Sequence, residues 1–69
     1  MSDIGRRIKE LREEQNLTQE DLARRMKTHP QSVWRYEAGT RVPNAPKIEE
    51  IARALGVEPG ELFPKAIAR

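Results

Sequence analysis

Signals that start or stop helices recur along the whole sequence and restrict the chain to short helices. Proline lacks the backbone donor that a helix interior needs, and glycine adopts the left-handed conformation in which many helices end. Capping or breaking residues occur at Thr18, Pro30, Gly39, Asn44, Gly56, Pro59 and Pro64. The segments between them show no strand pattern, so the sequence predicts an all-α fold.

Apolar residues between these signals repeat at helical spacing. Ile4, Ile8 and Leu11, for example, lie at i, i+4 and i+7, on one stripe of a helix. The predicted helices span about 3–14, 19–26 and 30–38, the segment between Asn44 and Gly56, and a short fifth segment at 58–63. We expect a five-helix bundle that forms a single domain over 1–69, with a core of 4–63 and a short C-terminal tail at 64–69.

Composition excludes several classes of protein. At 69 residues with no cysteine and one histidine, the chain has no disulfide framework and no ligand set for a metal, and it is too small for an enclosed catalytic cleft. No group activates a hydroxyl nucleophile, so we predict no enzyme activity, no cofactor and no metal site. No apolar run approaches the ~18 residues of a membrane span, and we expect a cytoplasmic protein.

Positive charge is concentrated in the middle of the chain. The formal net charge is +2, and residues 18–41 hold five basic and three acidic side chains, whereas the flanking thirds are balanced. A local basic excess favours contact with a polyanion.

The middle segment also has the local pattern of a helix-turn-helix unit. Thr18 is predicted to cap the second helix, with Asp21 completing a capping box, and Pro30 suits the first position of the third helix. Two helices of about eight residues joined by a short turn match the unit whose second helix lies in the major groove of DNA.

Four separated motifs in order give the sequence a family resemblance. They are IGRRIKELR at 4–12, LTQEDLA at 17–23, YEAGTRVP at 36–43, and IARALGV at 51–57 followed by ELF at 61–63. With these motifs the chain resembles the phage repressor and Cro type of helix-turn-helix domain, also called the xenobiotic-response-element family, over residues 4–63. The resemblance implies a lambda-repressor-like bundle of five helices, usually dimeric on a pseudo-palindromic operator.

The resemblance also implies roles for particular residues. It makes Thr18 the cap of the second helix and Gln19 an anchor for a DNA phosphate at the start of that helix. It pairs Arg12 with Glu37 as a bridge between the first helix and the end of the third.

The third helix presents candidate base-contacting residues. With Val33 and Tyr36 turned to the core, the outward face centres on residues 31, 35 and 38, flanked by Ser32 and Trp34 on opposite sides. Gln31 can make a bidentate contact with adenine and Arg35 with guanine. In the following loop, Arg41 and Thr40 are candidates for holding the DNA backbone.

The turn before the third helix departs from the family pattern. Lys27 stands where the family often has glycine, which predicts a non-glycine residue at positive φ. His29 replaces the usual cap, Pro30 has no side-chain donor for a base, and Thr28 is an alternative cap.

Several side chains have two interpretations. Trp34 either contacts DNA or lies against the second helix as peripheral core. Arg25 and Lys27 either bind phosphate or form the solvated face of the second helix, the interpretation favoured for Arg24. His29 is either a pH-sensitive phosphate contact or, as we expect, an exposed turn residue.

We predict a sequence-specific regulator of transcription that binds double-stranded DNA as a homodimer and acts as a repressor, with no small-molecule effector domain. The apolar residues Val57, Leu62 and Phe63 are predicted to be core, and this end of the domain, with Ala66 and Ile67, is a candidate dimer seam. The alternative function is an antitoxin or adaptor that grips a protein partner, with DNA binding secondary or conditional.

Overall fold

The chain folds into short helices, as its stop signals require. The computed structural model describes residues 3–63, which contain no strand. The helices are α1 (Asp3–Glu14), α2 (Gln19–Met26), α3 (Pro30–Ala38) and α4 (Ala45–Leu55), followed by a 3₁₀ segment at Pro59–Leu62. The predicted bounds of the first three helices are confirmed, as are the start and stop of the fourth. No helix among residues 3–63 is both long and apolar enough to cross a membrane.

The predicted fifth helix is a single 3₁₀ turn. The backbone N–H of Glu61 donates to the carbonyl of Glu58 at 2.9 Å, an i to i+3 bond. A segment of four residues has room for i to i+3 bonds but not for a continuous ladder of i to i+4 bonds. The bundle therefore consists of four α-helices and one 3₁₀ turn within the described residues.

The core lies between the packed helices and the 3₁₀ segment. Both α1 and α2 pack against α3, while α4 packs on α2 and the 3₁₀ segment packs on α4 and α1. The largest fully buried side chains come from all five elements: Ile8, Leu22, Val33, Ile51 and Leu62. The prediction that Phe63 belongs to this core is wrong, because its side chain is 44% exposed. Val57 is partly buried against the core cluster, and Ala66 and Ile67 lie outside the described residues.

Side-chain caps fix where α2 begins. The backbone N–H of Asp21 donates to Thr18 Oγ1 at 3.0 Å, and the N–H of Thr18 donates to Asp21 Oδ2 at 2.9 Å, which confirms the predicted capping box. The backbone hydrogen bond from Thr18 lowers the pKa of Asp21. The position of α2, and with it that of the following turn, is thus set by local sequence.

The turn between α2 and α3 is held by Lys27 in the left-handed conformation. Its φ is 57° and its ψ is 45°, as its place in the family pattern predicts, and the N–H of Thr28 donates to the carbonyl of Ala23 at 2.9 Å. His29 is exposed at the N-cap position of α3 and makes no capping hydrogen bond with its side chain. The expectation that Thr28 caps α3 is wrong, because its hydroxyl faces that of Ser32 at 3.5 Å.

Candidate nucleic-acid interface

The outer face of α3 is exposed, and its polar side chains make no polar contact within the described residues. Gln31, Trp34 and Arg35 lie at i, i+3 and i+4 and are all exposed, with Trp34 at 51%. Within the described residues, none of the three side chains makes a hydrogen bond or an ion pair. About half of the Trp34 surface is exposed, and its contact with DNA stays a prediction. These side chains can therefore bind an external partner without breaking an internal contact.

The other predicted contact residues of this region lie around α3. Ser32 is half-buried, and its hydroxyl oxygen accepts a hydrogen bond from the Thr28 hydroxyl at 3.5 Å. Thr40 and Arg41 are exposed in the loop that follows α3, and their backbone N–H groups both donate to the carbonyl of Arg35, at 3.1 and 3.3 Å. The loop is thereby held against the C-terminal end of the same helix.

Basic side chains that pair with no carboxylate in the described residues occur in and beside α3. In residues 3–63, the basic side chains that pair with a carboxylate are Arg6, Arg7, Arg12, Arg24 and Lys47. The basic side chains of the same range without such a partner are Lys9, Arg25, Lys27, Arg35, Arg41 and Arg53. Half of the unpaired ones, Lys27, Arg35 and Arg41, lie in α3 or in its flanking turns. Charge without an internal partner is free to neutralise phosphate.

Two arginines of α2 have internal partners instead. Arg24 pairs with Asp21 at 3.3 Å on the surface, which suits the interpretation of Arg24 as a solvated side chain. The guanidinium of Arg25 donates to the carbonyl of Ala54 at 3.1 Å and so links α2 to α4. Exposed His29 agrees with its interpretation as a turn residue.

Behind the exposed face, α3 is locked to α1 by a buried ion pair. Arg12 Nε donates to Glu37 Oε2 at 2.6 Å and Arg12 Nη2 donates to Glu37 Oε1 at 3.1 Å, which confirms the pairing that the family resemblance implied. Arg12 is 8% exposed and Glu37 is 4% exposed. Arg12 Nη1 also donates to the carbonyl of Leu17 at 2.8 Å. The hydrogen bond to Glu37 raises the pKa of Arg12, so this guanidinium stays charged.

The same carboxylate also reaches α2. Gln19, the predicted phosphate anchor, is half-buried at the first position of α2, and its Nε2 donates to Glu37 Oε1 at 3.0 Å. Thr18 is exposed beside it. Sequence reasoning treated Gln19 and the Arg12–Glu37 pair as separate features. No sequence spacing reveals the link, because the two residues meet only when α2 and α3 pack together.

Comparison with known proteins identifies the family. A family model described as helix-turn-helix, HTH_3, matches residues 8–62, which include α2, its turn and α3 together with the Arg12–Glu37 bridge. The chain belongs to the helix-turn-helix family. The match agrees with the resemblance to the xenobiotic-response-element type.

A solved helix-turn-helix structure shares the fold. The crystal structure of the restriction-modification controller protein C.AhdI from Aeromonas hydrophila matches with a TM-score of 0.85 and 38% identity, over 88% of this chain and 92% of that one. The chain and this controller protein thus share the same fold.

The curated relatives are longer proteins. Multiprotein-bridging factor 1 of Debaryomyces hansenii is 42% identical over 55 residues, which are 80% of this chain and 37% of that protein. Endothelial differentiation-related factor 1 of Homo sapiens is 36% identical over 56 residues, which are 81% of this chain and 38% of that protein. The chain thus spans less than two fifths of the length of these relatives.

Proposed function

We propose that the chain is a sequence-specific, double-stranded DNA-binding regulator of transcription that inserts α3 into the major groove. The observation that supports this best is the outer face of α3, where Gln31 and Arg35 are exposed one turn apart and their side chains bond nothing within residues 3–63. A helix presented by a helix-turn-helix unit fits the major groove, where each base pair shows a distinct pattern of donors and acceptors.

Each exposed group on this face has a matching chemical target. The amide of Gln31 can bond adenine in a bidentate manner, and the guanidinium of Arg35 can do so with guanine. Trp34 offers an apolar ring for a thymine methyl group or a sugar. Lys27, Arg41 and Thr40 surround α3 at the positions where backbone phosphates would pass.

We further propose that the protein binds as a homodimer and acts as a repressor in the cytoplasm. A net charge of +2 gives one subunit little electrostatic affinity, and two half-sites about 10 bp apart would combine two weak contacts. Phe63, 44% exposed next to the 3₁₀ segment, supplies an apolar side chain for a seam between subunits. In this proposal the bound dimer represses by occupying its operator, and the chain binds and does not catalyse.

Selection of bound duplexes from a random DNA pool at physiological salt tests the proposal. We expect enrichment of an inverted repeat, and we expect Arg35→Ala and Gln31→Ala each to relax the preference at separate base pairs of the half-site. Sedimentation at micromolar concentration should show a species twice the mass of the 8.0 kDa chain. A folded protein that enriches no sequence would contradict the proposal of sequence-specific binding.

A second candidate function is protein bridging. The relatives named multiprotein-bridging factor favour it, because this chain is 42% and 38% identical to two of them over 55 residues. In that case the domain binds a protein partner, and its DNA binding is secondary or conditional. A stable partner that co-purifies with the protein, together with a selection that enriches no sequence from the DNA pool, would favour this second function.

A further inference from the structure

An open groove lies between the C-terminal end of α2 and the second half of α4. Its volume is about 600 Å³, within the range of about 300–1,000 Å³ that is usual for ligand sites. The residues that line it come from both helices: Arg25, Met26, Lys27, Glu50, Arg53 and Ala54. The two walls are distant in sequence, so the groove exists only because α2 packs against α4.

The groove is positively charged. Three of its lining residues are the basic side chains Arg25, Lys27 and Arg53, and none of them pairs with a carboxylate within residues 3–63. The acidic residue of the lining, Glu50, accepts a hydrogen bond from Lys47 Nζ at 2.8 Å. A cleft lined mainly by charge of one sign concentrates the electric field and attracts ions of the opposite sign. The groove therefore favours an anionic ligand.

The arginines of the groove suit carboxylates in particular. Arg25 Nη1 donates to the carbonyl of Ala54 at 3.1 Å, which holds this guanidinium against α4. A guanidinium has five N–H donors, so the others remain for a ligand. The side chain of Arg53 is exposed and makes no hydrogen bond in the described part of the chain. Because the planar guanidinium can bond both oxygens of a carboxylate at once, the two arginines match two acidic side chains.

The lining is also partly apolar. Met26 is 7% exposed and Ala54 is half-buried, and both contribute to the groove. Methionine adapts its shape to different apolar side chains. A phosphate chain carries a charge at every repeat, so it would meet Glu50 with like charge. A peptide can place carboxylates at the arginines, an apolar side chain at Met26 and an uncharged residue at Glu50, and it fits the groove better.

We propose that the groove between α2 and α4 binds a short acidic peptide segment of a protein partner, in which aspartate or glutamate residues flank an apolar side chain. The carboxylates bond Arg25 and Arg53, and the apolar side chain contacts Met26. Clusters of arginine recognise acidic motifs in this way. The inference rests on protein bridging, the second candidate function, for which it names a surface and a partner chemistry. It does not depend on DNA binding by α3.

Selection from a displayed library of random peptides on the wild-type protein, at physiological salt, tests the inference. We expect enrichment of peptides in which acidic residues flank an apolar one. The affinity of an enriched peptide would then be measured by fluorescence anisotropy for wild type, Arg53→Ala and Arg24→Ala. Arg24→Ala is the matched control, because it removes an exposed arginine of α2 that pairs with Asp21 and does not line the groove.

We expect Arg53→Ala to bind the peptide about tenfold more weakly, the effect of one hydrogen bond to a charged group. Arg24→Ala should retain wild-type affinity. Equal losses in both variants would show general charge attraction and would overturn the inference, as would a selection that enriches no acidic peptide. A loss of DNA affinity in Arg53→Ala but not in Arg24→Ala would assign the groove to nucleic acid and would also overturn it.

Nuclear magnetic resonance locates the peptide on the wild type without any substitution. We expect the backbone amide shifts of Met26, Lys27 and Ala54 to change on binding, whereas changes confined to the outer face of α3 would overturn the inference. A co-purified partner whose binding is unchanged by Arg53→Ala would overturn the groove as the site and leave protein bridging standing. If neither a partner nor an acidic peptide binds, bridging and this inference both fail, and the proposal of DNA binding is unaffected.

Discussion

The two faces of α3 differ in what they do with their polar groups. On the inner face, Tyr36 and Glu37 are about 95% buried, and the Glu37 carboxylate is bonded on both oxygens. On the outer face, Gln31 and Arg35 are exposed and bond nothing within the described structure. The nine residues of α3 thus contain both a buried, ion-paired carboxylate and an exposed surface whose polar groups are not bonded within the described structure.

This difference separates stability from binding along a single helix. A buried charge that loses its partner is costly, because neither water nor another group can replace the bond. An exposed charge is solvated and contributes little to the free energy of folding, so the side chain can bind an external partner without loss of stability. Substitutions on the two faces should therefore have opposite signatures in stability and in DNA affinity.

The largest effect is expected for Glu37→Ala. It leaves Arg12 charged, 8% exposed and without a carboxylate, and removing one member of a buried pair costs about 3–5 kcal/mol of unfolding free energy. Urea or thermal unfolding followed by circular dichroism measures the loss, with exposed Glu49→Ala as the control. Base preference should change far less than stability, because Glu37 contacts no base. An unchanged melting temperature would contradict the buried lock.

Gly5→Ala should destabilise the contact between α1 and α3. A Cβ on Gly5 would lie 2.3 Å from the carbonyl oxygen of Tyr36 and 2.6 Å from that of Glu37, and backbone atoms cannot move aside cheaply. Overpacking of this kind costs about 1–3 kcal/mol, more than the helix propensity that alanine adds. Gly60→Ala is the matched control, because a Cβ there meets nothing within 4 Å. Equal stability of the two variants would show that the helices are not in close contact.

Arg35→Ala should change binding and not folding. Loss of a bidentate contact with guanine costs about 1–3 kcal/mol of DNA affinity, while the melting temperature should stay within the error of wild type. The control is Arg53→Ala on α4, which removes another exposed arginine that pairs with no carboxylate in the described part of the chain. Equal loss of affinity in both variants would indicate general charge attraction and not a base contact.

The smallest effect is expected at the turn that leads into α3. Lys27 has a φ of 57°, where a side chain is strained and glycine is not. We expect Lys27→Gly to raise the unfolding free energy by up to about 1 kcal/mol and to weaken DNA binding at low salt, because one unpaired charge is lost. The salt dependence of affinity measures the second effect. A gain in stability with an unchanged salt dependence would remove Lys27 from the interface.

Local sequence predicted the helices and the turn because their causes are local. The capping box of Thr18 and Asp21, the stop at Gly39 and the left-handed Lys27 each involve only residues a few positions apart. The five-helix count is not confirmed, because apolar character alone does not determine whether a four-residue segment forms an α-helix or a 3₁₀ turn. The prediction for Phe63 is wrong, because apolar character also does not determine whether a side chain finds space in the core.

The candidate site was only partly accessible from the sequence. Helical periodicity placed Gln31 and Arg35 on an outward face, and the structure shows both exposed. Their predicted contacts with DNA stay predictions. The link between Gln19 and Glu37 spans 18 positions and depends on how α2 crosses α3, so no periodic pattern could predict it.

The sequence by itself determined where helices begin and end and which side of each is apolar, because capping hydrogen bonds lie within one turn and the apolar pattern follows the 3.6-residue repeat. The order and spacing of its motifs determined the family. Tertiary structure decided which charged side chains are buried in ion pairs and which are exposed without a partner in the described residues. Arg12 and Arg35 have the same side chain, but packing buries one against Glu37 and leaves the other exposed on α3. The energy of a charge depends on its solvation and its partner, and both are set only when distant segments meet.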